Sequence, residues 1–155
     1  MSLKFKVSVP ATSANIGVGY DCLGVALDYR MELEVEESSR IEFLENGGPF
    51  SIPIEENYIF EAIKYTEKHL VKNIPSYKVN ITRNDIPLAR GLGSSSSAIV
   101  AGILIANTFA GNILDINNIL ITDIINNELE LLSNYSKRAK EHKTLIKTND
   151  KKKKM

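Results

Sequence analysis

The sequence predicts an α+β fold. Three segments alternate apolar and polar residues as half-buried strands do, at residues 3–9, 31–36 and 77–81. Two further segments have helical spacing, one following Asn57 and one at about residues 95–109. The chain has 155 residues, which is long enough for one domain to bury a sizeable core.

Each predicted strand has one apolar and one polar face. Apolar residues alternate with two lysines and a serine over residues 3–9, and with glutamates over residues 31–36. Residues 41–44 are expected to pair with the second strand across the short polar turn between them. Asn46–Pro49 then breaks the chain, and residues 77–81 form a further strand.

The two helices have separate signals. The first is expected to begin after Asn57, a residue type that caps helix N-termini, and His69 lies near its end as a capping or surface residue. Its apolar positions are Ile59, Phe60, Ile63, Leu70 and Val71. The second helix, at about residues 95–109, is apolar on nearly all sides, which predicts that it is buried. Gly111 is its candidate C-cap, and a further helix is expected over residues 115–132.

The segment from Pro87 to Ala98 is the most informative about function. Gly91 and Gly93 precede four serines, Ser94 to Ser97, which open the apolar helix. Glycine permits positive φ and close backbone approach, and the first amides of a helix have no intrahelical acceptor. The pattern therefore predicts a site for the phosphates of a nucleotide. It lacks the lysine of a Walker loop, and a plain serine-rich N-cap is the alternative.

A second polar, glycine-rich segment follows the first strand, at residues 9–28. It reads Pro10-Ala-Thr-Ser-Ala-Asn-Ile-Gly-Val-Gly-Tyr-Asp21. Together the two segments resemble the first and second motifs of the GHMP superfamily of small-molecule kinases, in the form that homoserine kinases have. The resemblance covers about residues 3–112. It implies an ATP-binding domain like ribosomal protein S5 domain 2 at residues 1–132, with a lysine-rich tail at 133–155.

The same resemblance implies ligands and residue roles. ATP and Mg²⁺ are the expected cofactors, and L-homoserine is the expected substrate, converted to O-phospho-L-homoserine in threonine biosynthesis. The residues expected to bind ATP are Pro87, Leu88, Ala89, Arg90, Gly91, Leu92, Gly93, Ser94, Ser95, Ser96 and Ser97. Ser96 and Glu128 are the expected metal ligands. Asn15, also the expected catalytic residue, would hold groups around the substrate hydroxyl, and Asp21 would pair with its α-ammonium. For both residues, turn chemistry beside neighbouring glycines is the alternative.

The chain departs from the family pattern after about Leu132. The family's acidic segment of the Glu-Gly-His-Pro-Asp-Asn type is not found, and Glu128 or Glu130 is the candidate to replace its magnesium ligand. We therefore expect a truncated product that lacks the C-terminal ferredoxin-like domain and has little activity alone. It should expose an apolar patch, which a homodimer would cover. Another GHMP-type kinase and a non-catalytic S5-like nucleic-acid-binding module are the alternative functions.

Charge and cysteine content limit which binding partners and disulfides this chain can have. The net charge is zero, but residues 137–155 carry a balance of +7 and residues 1–136 carry −7, which disfavours nucleic acid. The terminal lysine run is expected to be solvated. Cys22 is the single cysteine, so no intramolecular disulfide can form. No signal peptide or membrane span is predicted, so a cytoplasmic protein without a membrane partner is expected.

Overall fold

The described part of the chain is built on one five-stranded β-sheet and two α-helices. The computed structural model describes residues 2–14, 24–88 and 90–115. In chain order the elements are β1 (Lys4–Ala14), β2 (Gly24–Glu37), β3 (Glu42–Glu45), β4 (Gly48–Pro49), a 3-10 turn (Ile54–Glu56), α1 (Tyr58–Leu70), β5 (Tyr77–Asn84) and α2 (Ser94–Phe109). The strand order is β1-β2-β5-β3-β4, and β3 is parallel to β5 while the other neighbours are antiparallel. The predicted α+β fold is confirmed.

The first two strands are longer than their alternation predicts. β1 continues into the first motif as far as Ala14, and β2 begins at Gly24, which lies opposite Ala14. The register shifts after Pro10, where residues 28–29 of β2 have no opposite residue and form a bulge. Proline is tolerated here because β1 is an edge strand, so its missing N–H is not needed by a neighbour. The prediction that the strand ends before this motif is therefore wrong.

The short turn before the third strand predicts that it pairs with the second strand, but the structure shows that it does not. It lies parallel to β5, with Phe43 opposite Val79, and β5 takes the place beside β2. Tyr77, Val79 and Ile81 of β5 are at most 3% exposed, whereas no residue of β3 is fully buried. The more apolar strand occupies the interior of the sheet, and the shorter one lies towards its edge.

The first helix begins where its cap predicts. Asn57 Oδ1 accepts hydrogen bonds from the N–H groups of Ile59, at 2.9 Å, and Phe60, at 3.4 Å. Val71, predicted on the apolar face, instead forms the C-cap with φ 51° and is 88% exposed. The reason is that the helix ends at Leu70, so the next side chain leaves the buried stripe.

A carboxylate fastens the connection between α1 and β5. Glu67 accepts a hydrogen bond from the N–H of Ile74, at 3.0 Å, and pairs with the ammonium group of Lys64 at 2.6 Å. Burial acts to raise the pKa of Glu67, but these two donors outweigh it and hold the pKa below its ordinary value. Burial and the charge of Glu67 raise the pKa of Tyr77, whose hydroxyl has no hydrogen-bond partner among the described residues.

The second helix is enclosed, as predicted. Nine of its 16 residues are buried, and it packs against both α1 and β1. A Cβ atom at Gly102 would lie 2.5 Å from the carbonyl oxygen of Ile59, so the two helices are in close contact. Ala110 forms the C-cap, and the predicted cap residue Gly111 follows it with φ 89°. Because α2 is packed against both helix and sheet, its N-terminus has a fixed position.

Residues Met1–Ile113 form one compact unit. Several predicted features lie outside the described residues, namely Asn15, Asp21, Cys22, Ala89, Glu128, Glu130, the helix predicted from residue 115 to 132, the domain boundary at residue 132 and the lysine-rich tail. In the described segments, none of the helices has the length and apolar character needed to cross a lipid bilayer.

Candidate functional site

The two sequence motifs meet in the structure. The end of β1, which carries the first motif, lies beside the glycine–serine loop at the start of α2. The N–H of Thr12 donates a hydrogen bond to the carbonyl oxygen of Leu92 at 3.2 Å. The hydroxyl of Ser97 donates to the carbonyl oxygen of Pro10 at 2.9 Å. Two segments that are far apart in the sequence are therefore joined along the free edge of β1.

The two glycines of the loop have the same backbone conformation but different surroundings. Gly91 has φ 70° and Gly93 has φ 68°, both in the left-handed region that favours glycine. A Cβ atom at Gly93 would lie 2.5 Å from Oγ1 of Thr12 and 3.0 Å from its carbonyl oxygen. Among the described residues, a Cβ atom at Gly91 would meet nothing within 4 Å. Gly93 thus permits close contact with β1, whereas Gly91 lies in open space.

The first turn of α2 presents free hydrogen-bond donors. Ser94, Ser95 and Ser96 are partly exposed, and their side chains make no hydrogen bond to the described residues. Within the helix, the N–H of Ser97 donates to the carbonyl oxygen of Gly93 at 2.8 Å, and the three amides before it have no intrahelical acceptor. The first turn contains no acidic residue. With the helix dipole, this arrangement favours an anion.

The predicted ATP-binding residues fall into two groups. Pro87, Leu88, Arg90 and Gly91 are exposed, and Leu88 is 73% exposed. From Leu92 onward the loop packs towards the core and β1. The upstream half is therefore open to a ligand, while the downstream half is fixed to the protein.

The structure brings together only part of the predicted constellation. The described residues contain no cluster of three or more histidine, cysteine or acidic side chains that could hold a metal ion. Among the predicted metal ligands, Ser96 is the one within the described segments, since Glu128 lies outside them. Sequence reasoning did not identify Pro10 or Thr12 as partners of the loop. The signal that could have found them is a proline within an alternating segment, which is typical of an edge strand with free backbone groups.

Known proteins share this arrangement of sequence and fold. Residues 57–133 match the family described as GHMP kinases N terminal domain. A homoserine kinase from Clostridium novyi is 42% identical over 117 residues, covering 74% of this chain and 39% of the relative. A homoserine kinase from Oceanobacillus iheyensis is 48% identical over 104 residues, covering 66% and 34% respectively. The chain spans little more than a third of the length of these relatives.

Solved structures agree with the sequence matches. A protein assigned as a homoserine kinase from Listeria monocytogenes has a TM-score of 0.58 and 39% identity, with 71% of this chain and 38% of that chain covered. The mevalonate kinase of Methanococcus jannaschii has a TM-score of 0.56 at 23% identity, covering 73% and 42%, which shows a shared fold. The chain belongs to the GHMP kinases, and its fold is that of their N-terminal domain.

Proposed function

We propose that this chain is the ATP-binding part of a homoserine kinase. The reaction would transfer the γ-phosphoryl group of ATP to the hydroxyl of L-homoserine, giving O-phospho-L-homoserine for threonine biosynthesis. The observation that carries the proposal is the N-terminus of α2, where free serine donors lie at a fixed helix start. Its support in sequence is the identity of 40% to 48% with homoserine kinases from several bacteria.

In this proposal the ATP phosphates lie at the first turn of α2. Hydrogen bonds to a charged group contribute roughly 1.5–3 kcal/mol each, so a few of them hold a triphosphate well. The donors available are the amides and hydroxyls of residues 94–96. The exposed residues Pro87, Leu88, Arg90 and Gly91 would line the remainder of the nucleotide, where the guanidinium group of Arg90 adds a positive charge.

Magnesium would be held by Ser96 and Glu128. The donors in the described segments fit a phosphate, because hydroxyls and amides at a helix N-terminus attract anions. They do not by themselves form a complete cation site, and a carboxylate such as that of Glu128 has to be added. When bound, the ion would neutralise charge on the phosphates.

The acceptor would lie beside the phosphates, since β1 leads directly into Asn15 and contacts the loop at Thr12. The carboxylate of Asp21 would pair with the α-ammonium of homoserine, and the Asn15 amide would orient the groups around its hydroxyl. Phosphoryl transfer has a loose transition state, so positioning and charge neutralisation supply most of the catalysis.

The same proposal includes the cellular location and the binding partners of the enzyme. We place it in the cytoplasm, acting on small molecules and without a nucleic-acid or membrane partner. The balance of −7 over residues 1–136 supports the exclusion of nucleic acid. A homodimer would cover apolar side chains that are exposed in this unit, among them Val25 and Tyr29.

The test is a phosphorylation assay followed by ³¹P NMR. The purified chain is incubated with Mg-ATP and L-homoserine, and in separate tubes with mevalonate or shikimate. Because little activity is expected of the chain alone, we expect ATP binding with little product; any product formed should be O-phosphohomoserine, and phosphorylation of another acceptor instead would identify a different GHMP-type kinase. ATP binding without any product would show a nucleotide-binding part that needs the remainder of a kinase. Failure to bind ATP would refute the proposal.

A matched pair of variants tests the acceptor role. Asp21→Asn should raise the Kd for homoserine, measured in the presence of Mg-ATP, at least about tenfold, because a charge-assisted contact to the ammonium is lost. Asp28→Asn is the control, since Asp28 is an exposed carboxylate of the same segment that forms only a surface pair with Arg30. Equal Kd values for homoserine in the two variants would exclude Asp21 from the substrate site.

A further inference from the structure

Ser97 differs from the three serines that precede it. It is 2% exposed, whereas residues 94–96 are partly exposed. Its hydroxyl donates to the carbonyl oxygen of Pro10 at 2.9 Å, and its N–H donates to the carbonyl oxygen of Gly93 at 2.8 Å. One residue therefore connects the edge strand to the N-cap of α2.

The carbonyl group of Pro10 requires this partner. It lies at the point where the register of β1 and β2 shifts, between Pro10 and Ala11. Backbone groups of residues two apart face the same side of a strand, so this carbonyl and the N–H of Thr12 both face away from β2. Ser97 and Leu92 supply the two missing partners. The loop thus completes the hydrogen bonding of the strand that leads into the first motif.

We propose that Ser97 is a positioning residue of the kinase site and not a phosphate ligand. This inference rests on the proposed function and deepens it. The hydroxyl fixes the end of β1, which continues into Asn15, against the helix start that would hold the phosphates. A kinase depends on holding acceptor and phosphoryl donor in place, and a small displacement reduces its rate strongly. Ser97 therefore sets the spacing between the two motifs.

The experiment compares Ser97→Ala with Thr66→Val in the 155-residue chain. Each removes one buried hydroxyl that donates to a backbone carbonyl, since the Thr66 hydroxyl donates to the carbonyl oxygen of Ala62 at 2.8 Å. In Thr66→Val that carbonyl keeps its helical N–H partner, whereas in Ser97→Ala the carbonyl of Pro10 loses the partner supplied by Ser97. Amide hydrogen exchange measured by NMR reports the local effect, with the interior strand residue Val79 as the internal reference.

In Ser97→Ala we expect exchange at Thr12 to accelerate at least about tenfold while exchange at Val79 is unchanged. The Kd for Mg-ATP should rise about fivefold to tenfold, because the lost hydrogen bond to the carbonyl of Pro10 no longer holds the phosphate donors in place; this change corresponds to the free energy of about one hydrogen bond. The ³¹P signal of the bound γ-phosphate should shift, because its donors have moved. Thr66→Val should produce none of these changes, whatever it does to global stability.

Each other outcome has a definite meaning. Unchanged exchange at Thr12 would overturn the inference, and so would faster exchange with unaltered ATP affinity and ³¹P signal. Weaker ATP binding without any change at Thr12 would make Ser97 a phosphate ligand after all. A wild-type chain that does not bind Mg-ATP would refute the proposed function, and exchange at Thr12 would still decide whether Ser97 fixes β1.

Discussion

Replacing Gly93 by alanine measures how closely the loop approaches β1, and Gly91→Ala is its matched control. The two glycines have φ of 68° and 70°, so alanine is strained similarly in both, by roughly 1–2 kcal/mol. Both changes also reduce the freedom of the unfolded chain by the same amount. These contributions cancel in the difference between the variants, which leaves only the surroundings of the new Cβ atom.

The difference can be estimated from the contacts of that atom. At Gly93 it would lie 3.0 Å from the carbonyl oxygen of Thr12, whereas ordinary contacts begin at 3.4 Å. The Thr12 hydroxyl can rotate away, but its carbonyl is part of β1, so strand and loop must separate. That movement lengthens the 3.2 Å hydrogen bond from Thr12 to Leu92, which costs about 1 kcal/mol, and overpacking adds about 1–3 kcal/mol. We expect Gly93→Ala to be less stable than Gly91→Ala by about 2–4 kcal/mol.

Urea unfolding followed by circular dichroism provides the measurement. The midpoint for Gly93→Ala should fall well below that for Gly91→Ala, with similar slopes for both. Equal stability of the two variants would refute the reasoning, because it would mean that the loop does not contact β1 at this point. A lower slope for Gly93→Ala alone would indicate a change in the extent of folded structure instead.

Three further substitutions test the packing of the described unit. Glu67→Gln should lower the free energy of unfolding at pH 7 by about 1–2 kcal/mol through the weaker contact to Ile74. Since the pKa of Glu67 is lowered by folding, its contribution is complete above the unfolded-state pKa and is lost as the pH falls through the folded-state value. The difference in stability between wild type and Glu67→Gln, measured by urea titration, should therefore shrink between pH 7 and pH 3. Tyr77→Phe should leave the melting temperature unchanged or raise it, because an unpartnered buried hydroxyl is removed; a loss above about 1 kcal/mol would contradict this. Gly102→Ala should destabilise by about 1–3 kcal/mol in calorimetry, despite its higher helix propensity, since its Cβ would lie 2.5 Å from the carbonyl oxygen of Ile59.

The fold could be predicted wherever side-chain periodicity is local. Strict alternation located most of β5 and the second half of β2, and Asn57 located the start of α1. The extension of β1 could not be read in this way, because residues 10–14 are small and polar and begin with proline. The position of β3 depends on burial of β5, which follows it by some thirty residues, and a short local turn indicates nothing about that contact.

The sequence predicted which residues form the candidate site, but not which of its serines face a ligand and which face β1. The glycines and serines identified a helix start that suits an anion, and the structure contains one. Successive residues on a helix are about 100° apart, so four consecutive serines cannot all face one ligand. Which of them faces inward depends on β1, a distant segment, and the sequence alone treats Ser94 and Ser97 alike. The roles of Asn15, Asp21 and Glu128 stay predictions.

The contact between β1 and the loop makes the length of the edge strand significant for the chemistry. Side-chain and backbone directions in a strand repeat every two residues, so inserting one residue before Pro10 would turn its carbonyl and the N–H of Thr12 towards β2. Inserting two would restore their direction but shift them along the strand by about 7 Å. The turn at Asn46 and Gly47 is under no such constraint from the loop. Length variation should therefore be tolerated between β3 and β4 and not within β1.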